Sequence, residues 1–370
     1  MRSMILFRIF DGGNNERADE DNRGRLRQKL RIRYNGCLRT NDRLELSKMT
    51  TEASATIMIV VLCWIILTAL DAVVCGLLSL LTAIAFKKVF LWGLLILILP
   101  PAAVAYGALW ERNQFKINHI ETPLWGLPES FDGYRIVHIS DIHARSFIGR
   151  EKHMAAAVQM INGLNADMIA FSGDLISMEP SELDSLSQTL SKMKARDGVY
   201  SVLGNHDYCL YTRVDSQTRA AYLDDLISRQ KAMGWDLLMN ENRIISKGHD
   251  SIAVIGVENT SPSRHFPSRG DLAKASQGTE GMFRILISHD PMHWEHEIIG
   301  KDYPVTLSGH THAMQMTFFG WSPSRLIFKQ DKGLYSIDRQ HLYVNIGLGE
   351  TIFPARIFAR PEITLITLKK

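Results

Sequence analysis

The stretch Arg135-Ile-Val-His-Ile-Ser-Asp-Ile-His143 decides the fold class. Its first six residues are a short apolar run rich in β-branched side chains, as a buried strand requires, and Asp141 and His143 stand where that strand stops. The same figure recurs four times. Asp174 follows Met168-Ile-Ala-Phe-Ser-Gly173, and Asn205, His206 and Asp207 follow Tyr200-Ser-Val-Leu-Gly204. His289 follows Arg284-Ile-Leu-Ile-Ser288, and His310 and His312 follow Val305-Thr-Leu-Ser-Gly309. Further strands are predicted at 251–257, 342–346 and 362–368, with helices at 151–165, 181–195 and 216–234 between them. Strands alternating with helices define an α/β domain, and in open α/β sheets the loops beyond the carboxyl ends of the strands build the ligand site.

Taken singly, a histidine after a strand is an ordinary core or surface residue, and an aspartate before a turn is an ordinary cap. Five repetitions, with two Gly-Asp or Gly-Asn turns and two paired Asp-x-His or His-x-His steps, are a site. Aspartates, histidines and one asparagine make a ligand inventory for divalent cations, since neutral imidazoles and carbonyl oxygens complete a coordination shell without overneutralising the charge. Two such ions held close together can clamp the attacking and leaving oxygens of a displacement at phosphorus. The four cysteines, Cys37, Cys63, Cys75 and Cys209, are scattered, so neither a zinc-thiolate site nor a disulfide framework is supported.

Outside this domain the chain changes character. Its 370 residues are 46% hydrophobic and 22% charged, with a formal net charge of +3, which excludes a disordered, collagen-like or disulfide-stapled protein. Residues 1–49 hold 12 Lys and Arg against 7 Asp and Glu (+5), residues 50–110 hold 2 against 2, and residues 111–370 hold 28 against 30 (−2). Residues 1–52 read as a basic, flexible tail, and Met49 is an alternative start. Between 53 and 110 the only charges are Asp71, Lys87 and Lys88, so two membrane helices are expected, near 56–80 and 89–110. Pro100 and Pro101 would kink the second. With two spans and the basic tail inside, the C-terminal domain returns to the cytoplasm, although Lys87 and Lys88 then lie outside, against the rule. Residues 111–130 read as a linker, and 131–370 as the domain.

Asp141-Ile-His143, Gly173-Asp174, Gly204-Asn-His-Asp207, Ser288-His-Asp290 and Gly309-His-Thr-His312 resemble, in order and complete, the signature of the calcineurin-like metallophosphoesterases. The membrane block and the closing Gly347-Leu-Gly349, Pro354-Ala-Arg356 and Pro361-Glu-Ile363 pattern resemble the bacterial membrane-anchored branch of that superfamily. The resemblance implies a four-layer α/β/β/α sandwich preceded by transmembrane helices, and two divalent ions of the Mn, Fe, Zn or Mg kind. It implies that Asp141, His143, Asp174 and His312 hold one ion and Asp174, Asn205, His289 and His310 the other. It further implies that a metal-bridging hydroxide attacks phosphorus and that His206 assists the leaving group. Asp207 is expected to orient the His206 ring, and Arg145 and Arg356 are candidate phosphate contacts. In place of the family's Gly-Gly-Gln this chain carries Ala313-Met314-Gln315, which predicts a narrower or greasier pocket. Loops 258–282 and 313–340 are the expected substrate rim, where Phe318, Phe319 and Trp321 either accept an acyl chain or simply pack a hairpin.

The expected function is hydrolysis of a phosphoester or pyrophosphate bond in a lipid-linked substrate at the inner membrane, with the lipid A precursor UDP-2,3-diacylglucosamine suggested by relatives of this architecture. A nucleotide or nucleic-acid phosphodiesterase is the enzymatic rival, weakened by the domain's charge of −2, because a polynucleotide track needs a basic stripe. A membrane sensor that keeps the fold without the chemistry is the third reading, disfavoured by the complete ligand set. Membrane lipids are expected contacts, and no protein partner is implied.

Overall fold

The computed structural model describes residues 61–370 apart from positions 63, 83 and 352. The basic tail and the alternative start at Met49 lie outside the described residues. Among the described residues two helices are long and apolar enough to cross a membrane, Trp64–Leu81 (α1) and the stretch Phe86–Asn113. The second stretch comprises α2 (Phe86–Ile96) and α3 (Leu99–Leu109), interrupted at Leu97 and Ile98. Pro100 and Pro101 sit in the first turn of α3, where a missing amide hydrogen costs nothing, so they restart the helix rather than bend it. The apolar side chains point outward: Leu80 is 84% exposed and Trp92 71%, unlike those of a soluble core helix.

The C-terminal domain has two six-stranded sheets. One runs β1 (Lys116–Pro123), β12 (Glu362–Lys369), β2 (Arg135–Ile139), β3 (Met168–Phe171), β4 (Val199–Ser201), β5 (Asp236–Leu237). The other runs β10 (Gly333–Ile337), β11 (Gln340–Val344), β9 (Val305–Ser308), β8 (Phe283–Ile287), β7 (Asp250–Gly256), β6 (Glu241–Lys247). Side-chain alternation sorts the apolar residues into three cores. Val137, Ile139, Ile169 and Phe171 pack under α4 (Glu151–Gly163) and α6 (Ser216–Ala232). Ile136, Met168, Val254, Ile285 and Ile287 fill the space between the sheets. Ala253, Ile255 and Leu286 turn to the far side, against Leu272, Trp294 and Ile298. Three cores separate four layers, the expected α/β/β/α sandwich, and because both faces of its inner strands are covered those strands read as continuous apolar runs.

Two local differences from the sequence reading have physical causes. Residues 111–130 are more than a linker, because β1 pairs in parallel with β12 from Lys116↔Glu362 to Pro123↔Lys369. As an edge strand, largely half-exposed, its sequence Lys-Ile-Asn-His-Ile-Glu-Thr-Pro lacks the apolar run that marked the others. The helix expected over 181–195 is instead a 3-10 turn, Pro180–Leu183, and a single helical turn, α5 (Ser187–Leu190). The Glu182 side chain is the reason. It folds back to accept the amides of Ser177 (2.8 Å), Met178 (2.7 Å) and Glu179 (3.3 Å) in the loop beyond Asp174.

Candidate metal centre

The loops that follow β2, β3, β4, β8 and β9 bring the sequence-predicted ligands together. Asp141, His143 and His312 form one group, and Asp174, His289 and His310 another. A third, His143, Asp174 and His206, joins them, and within each group the donor atoms lie within 4.8 Å of one another. Asn205 enters through Oδ1, 3.2 Å from His289 Nε2, while its Nδ2 donates to the Tyr211 hydroxyl at 2.8 Å. Asp141, His143 and His289 are fully buried, and Asp174 and Asn205 nearly so.

Each central carboxylate has one oxygen committed to the backbone and one left for the cluster. Asp174 Oδ1 accepts the His206 amide at 2.8 Å, and its Oδ2 faces His289 Nε2 at 3.1 Å and His143 Nε2 at 3.6 Å. Asp141 Oδ2 accepts the His310 amide at 2.9 Å, and its Oδ1 stands 3.2 Å from His312 Nε2. The backbone is bent hard to aim these groups. Asp141, His143, Asp174, His310 and His312 all take left-handed φ, between 43° and 73°, a conformation that side-chain-bearing residues avoid except where surrounding structure enforces it. Ala313 and Met314, where the family pattern has glycines, share it at 51° and 48°. Close approach demands the neighbouring glycines: a Cβ on Gly204 would lie 2.2 Å from Asp174 Oδ1, and one on Gly309 2.3 Å from Asp141 Oδ2.

The cluster suits divalent cations. Asp141 Oδ1 is buried and, although His312 Nε2 lies 3.2 Å away, makes no hydrogen bond of good geometry among the described residues, an expensive arrangement for an isolated carboxylate. His289 Nδ1 donates to the Ser172 carbonyl at 2.7 Å and His143 Nδ1 approaches Ser177 Oγ at 3.2 Å, which leaves Nε2 of each ring free to ligate. His143 Nε2 and His312 Nε2 face each other at 3.1 Å beside Asp141, a pairing that a shared cation satisfies better than one proton. The negative field is strong. Burial alone would push His289 down, yet the adjacent Asp174 carboxylate holds it up to about 10.

His138, one strand residue before this edge, behaves oppositely. It is fully buried, bonds Ser172 Oγ through Nε2 at 2.9 Å, and burial pushes it down to about 3 despite the pull of Asp141. Its folded value lies below the unfolded one, so the stability tied to its neutral form is present above about pH 6.5 and is lost as pH falls towards 3. Between pH 6 and 4, the unfolding free energy of His138→Gln should fall less steeply than that of the parent, by up to about 1.4 kcal/mol per pH unit. Urea titrations at several pH values in that range measure the difference.

Two predicted contacts need revising. Asp207 does not orient His206: its buried carboxylate accepts four backbone amides, of Asp174 (2.9 Å), Leu175 (2.8 Å), Ile176 (3.2 Å) and Gly204 (2.9 Å). The His206 ring is set instead by Ser177, whose carbonyl lies 2.8 Å from Nδ1, and by Tyr211, whose ring centroid is 4.2 Å away. Arg356 is no phosphate contact. It is fully buried and spends its guanidinium on the carbonyls of Ile346 (2.9 Å), Gly347 (3.0 Å), Gly349 (3.1 Å) and Ala359 (3.1 Å). It thereby ties down the segment whose Leu348 and Gly349 amides bond Ser140 and Asp141 (3.0 and 2.8 Å). Arg145 lies half-buried in the 3-10 turn Ala144–Phe147 directly after His143, its amide donating to Glu182 at 3.1 Å.

Tyr211, Ser177 and Glu182 went unnoticed in the sequence because nothing in their spacing separates them from loop residues. Each of the two loops expected at the rim brings one phenylalanine to the centre. Phe266 and Phe328 meet the His310 ring edge-on, with centroids 4.8 and 5.5 Å away.

A five-loop centre of Asp, His and Asn at the carboxyl ends of a double-sheet sandwich defines a class, and comparison with known proteins agrees. The model of the family described as calcineurin-like phosphoesterase matches residues 134–314, and the chain belongs to that family. It is 33% identical over 288 residues to a transmembrane protein with metallophosphoesterase domain from Danio rerio, covering 75% of this chain and 62% of that one. It is 31% identical over 252 residues to the uncharacterized metallophosphoesterase YkuE of Bacillus subtilis, covering 66% and 82%. With the UDP-2,3-diacylglucosamine pyrophosphatase LpxG of Chlamydia muridarum it shares 25% over 307 residues, covering 69% and 90%.

Proposed function

We propose that this chain is a membrane-anchored hydrolase of phosphoester or pyrophosphate bonds that uses two divalent metal ions, and that its substrate is lipid-linked. The observation that carries the reading is the convergence of Asp141, His143, Asp174, His289, His310 and His312 in overlapping groups, the donor atoms of each within 4.8 Å of one another, with Asn205 Oδ1 3.2 Å from His289 Nε2. Asp141, His143 and His312 would hold one ion, Asn205, His289 and His310 the other, and Asp174 both. When bound, the ions supply Lewis acidity at the phosphoryl oxygens and lower the pKa of water.

The chain's own residues do the rest. His206, half-buried beside His143 and Asp174, is held through Nδ1 by the Ser177 carbonyl, which leaves Nε2 to protonate or hydrogen-bond the departing oxygen. Tyr211 backs the ring and limits its rotation. Arg145, two residues after His143 in the chain, would meet a phosphate oxygen. Phe266 and Phe328 wall the His310 side and exclude water there.

The two apolar helices and the name of the Danio rerio relative support membrane anchoring, and LpxG supports UDP-2,3-diacylglucosamine as the first substrate to try. A cytoplasmic face for the domain fits a UDP-linked precursor. The purified full chain with Mn²⁺ should release UMP from this substrate and cleave an aryl phosphodiester. His206→Asn should lower kcat by about 10²- to 10⁴-fold with metal content unchanged. Hydrolysis of the aryl diester without the UDP lipid would remove the substrate assignment alone. Cleavage of neither would remove the enzymatic reading.

A further inference from the structure

The domain carries an apolar surface that its own fold leaves uncovered. Phe318, Phe319, Trp321, Leu326, Ile327 and Phe358 are each at least 42% exposed, and Phe319 is fully so. They form one face. Phe318 and Trp321 close a tight turn with reciprocal backbone bonds of 2.7 and 2.9 Å, and the Phe318 ring meets that of Phe358 at 6.2 Å. The turn is also tied down at its base: the Thr317 amide donates to the Ile357 carbonyl at 2.9 Å, and Ser322 Oγ to the Ala313 carbonyl at 2.6 Å. A rigid cluster of aromatic and aliphatic tips in water is a binding surface rather than a packing error.

What covers it is indicated by α3, the last part of the apolar stretch Phe86–Asn113. The end of this helix is seated on the segment that bears Phe358. A Cβ on Gly107 would lie 2.6 Å from the Arg356 carbonyl oxygen, so the two backbones touch. The Glu111 carboxylate accepts the Phe358 amide at 2.7 Å and faces Arg360 at 3.6 Å. Beside them Leu109 and Trp110 are 79% and 58% exposed, and a tryptophan closing an apolar span marks the level of the lipid headgroups. Arg325 and Arg360, each about half-exposed, border the apolar face, the arrangement of surfaces that lie in a membrane interface.

We infer that the turn Phe318–Trp321, the neighbouring Leu326 and Ile327, and Phe358 dock into the boundary between headgroups and acyl chains of the bilayer that α3 leaves. This rests on the membrane-anchored reading above. Because Ser322 is bonded to Ala313, the residue after His312, docking fixes the metal centre close to the headgroup layer, where a phosphate on a lipid is found.

The test uses the full chain with Cys37→Ser, Cys63→Ser and Cys75→Ser, reconstituted in vesicles of phosphatidylcholine and phosphatidylglycerol. An environment-sensitive fluorophore is attached at Phe319→Cys, at Trp92→Cys in α2, or at exposed Ser228→Cys on α6. Aryl phosphodiesterase activity reports that each labelled protein is folded. The label at 319 should shift to the blue and lose most of its fluorescence to headgroup-proximal spin-labelled lipid, like that at 92 and unlike that at 228. Quenching at 92 with a water-exposed label at 319 overturns the docking inference and leaves the anchor intact. No quenching at 92 overturns both.

Discussion

Asp174→Asn is expected to abolish hydrolysis and to halve the bound metal. The substitution keeps the size of the side chain and its hydrogen bond to the His206 amide, but removes the charge from the one oxygen that faces both His289 and His143. Loss of a shared ligand removes several kcal/mol of charge stabilisation at phosphorus, so kcat/KM for an aryl phosphodiester should fall at least about 10³-fold. Elemental analysis of the purified chain should show about one equivalent fewer of divalent metal. Full activity in this variant would show that the carboxylate holds nothing the reaction needs.

The second large effect concerns a residue that never reaches the substrate. Arg356→Met should destabilise the domain by about 3–5 kcal/mol, the cost of breaking a buried charged network from one side. Carbonyls of Ile346, Gly347, Gly349 and Ala359 would lose their donor around a side chain that is fully buried. In a domain of this size the thermal midpoint should drop by about 10 °C. Arg356→Lys keeps the charge but offers a single ammonium where a planar fork served several carbonyls, so it should recover only part of the loss. Were Arg356 a phosphate contact instead, the midpoint would stay and KM alone would rise.

These two residues show where the sequence was legible. Asp174 was readable because strand ends are written locally: a β-branched apolar run, a glycine, then a chemically distinctive side chain. The α/β class followed from the same runs alternating with helical patterns, whereas the four layers were implied only by the resemblance to the metallophosphoesterases. The edge strand β1 escaped because its recognition depends on its partner β12, some 240 residues away in the chain. Arg356 was found by motif and given the wrong task, because a cation near a predicted phosphate site and a cation buried under it have the same sequence.

The sequence by itself determined the ligand inventory, the α/β class and the apolar stretches, because each depends on residue types at short spacing. Only the tertiary structure decided direction: which oxygen of Asp174 faces the cluster, that four amides occupy Asp207, and that Ser177 and Tyr211 hold His206. Directions of this kind come from left-handed backbone turns and from hydrogen bonds between distant loops. Neither leaves a periodic trace in the chain, because each is imposed by packing that exists only once both sheets have formed.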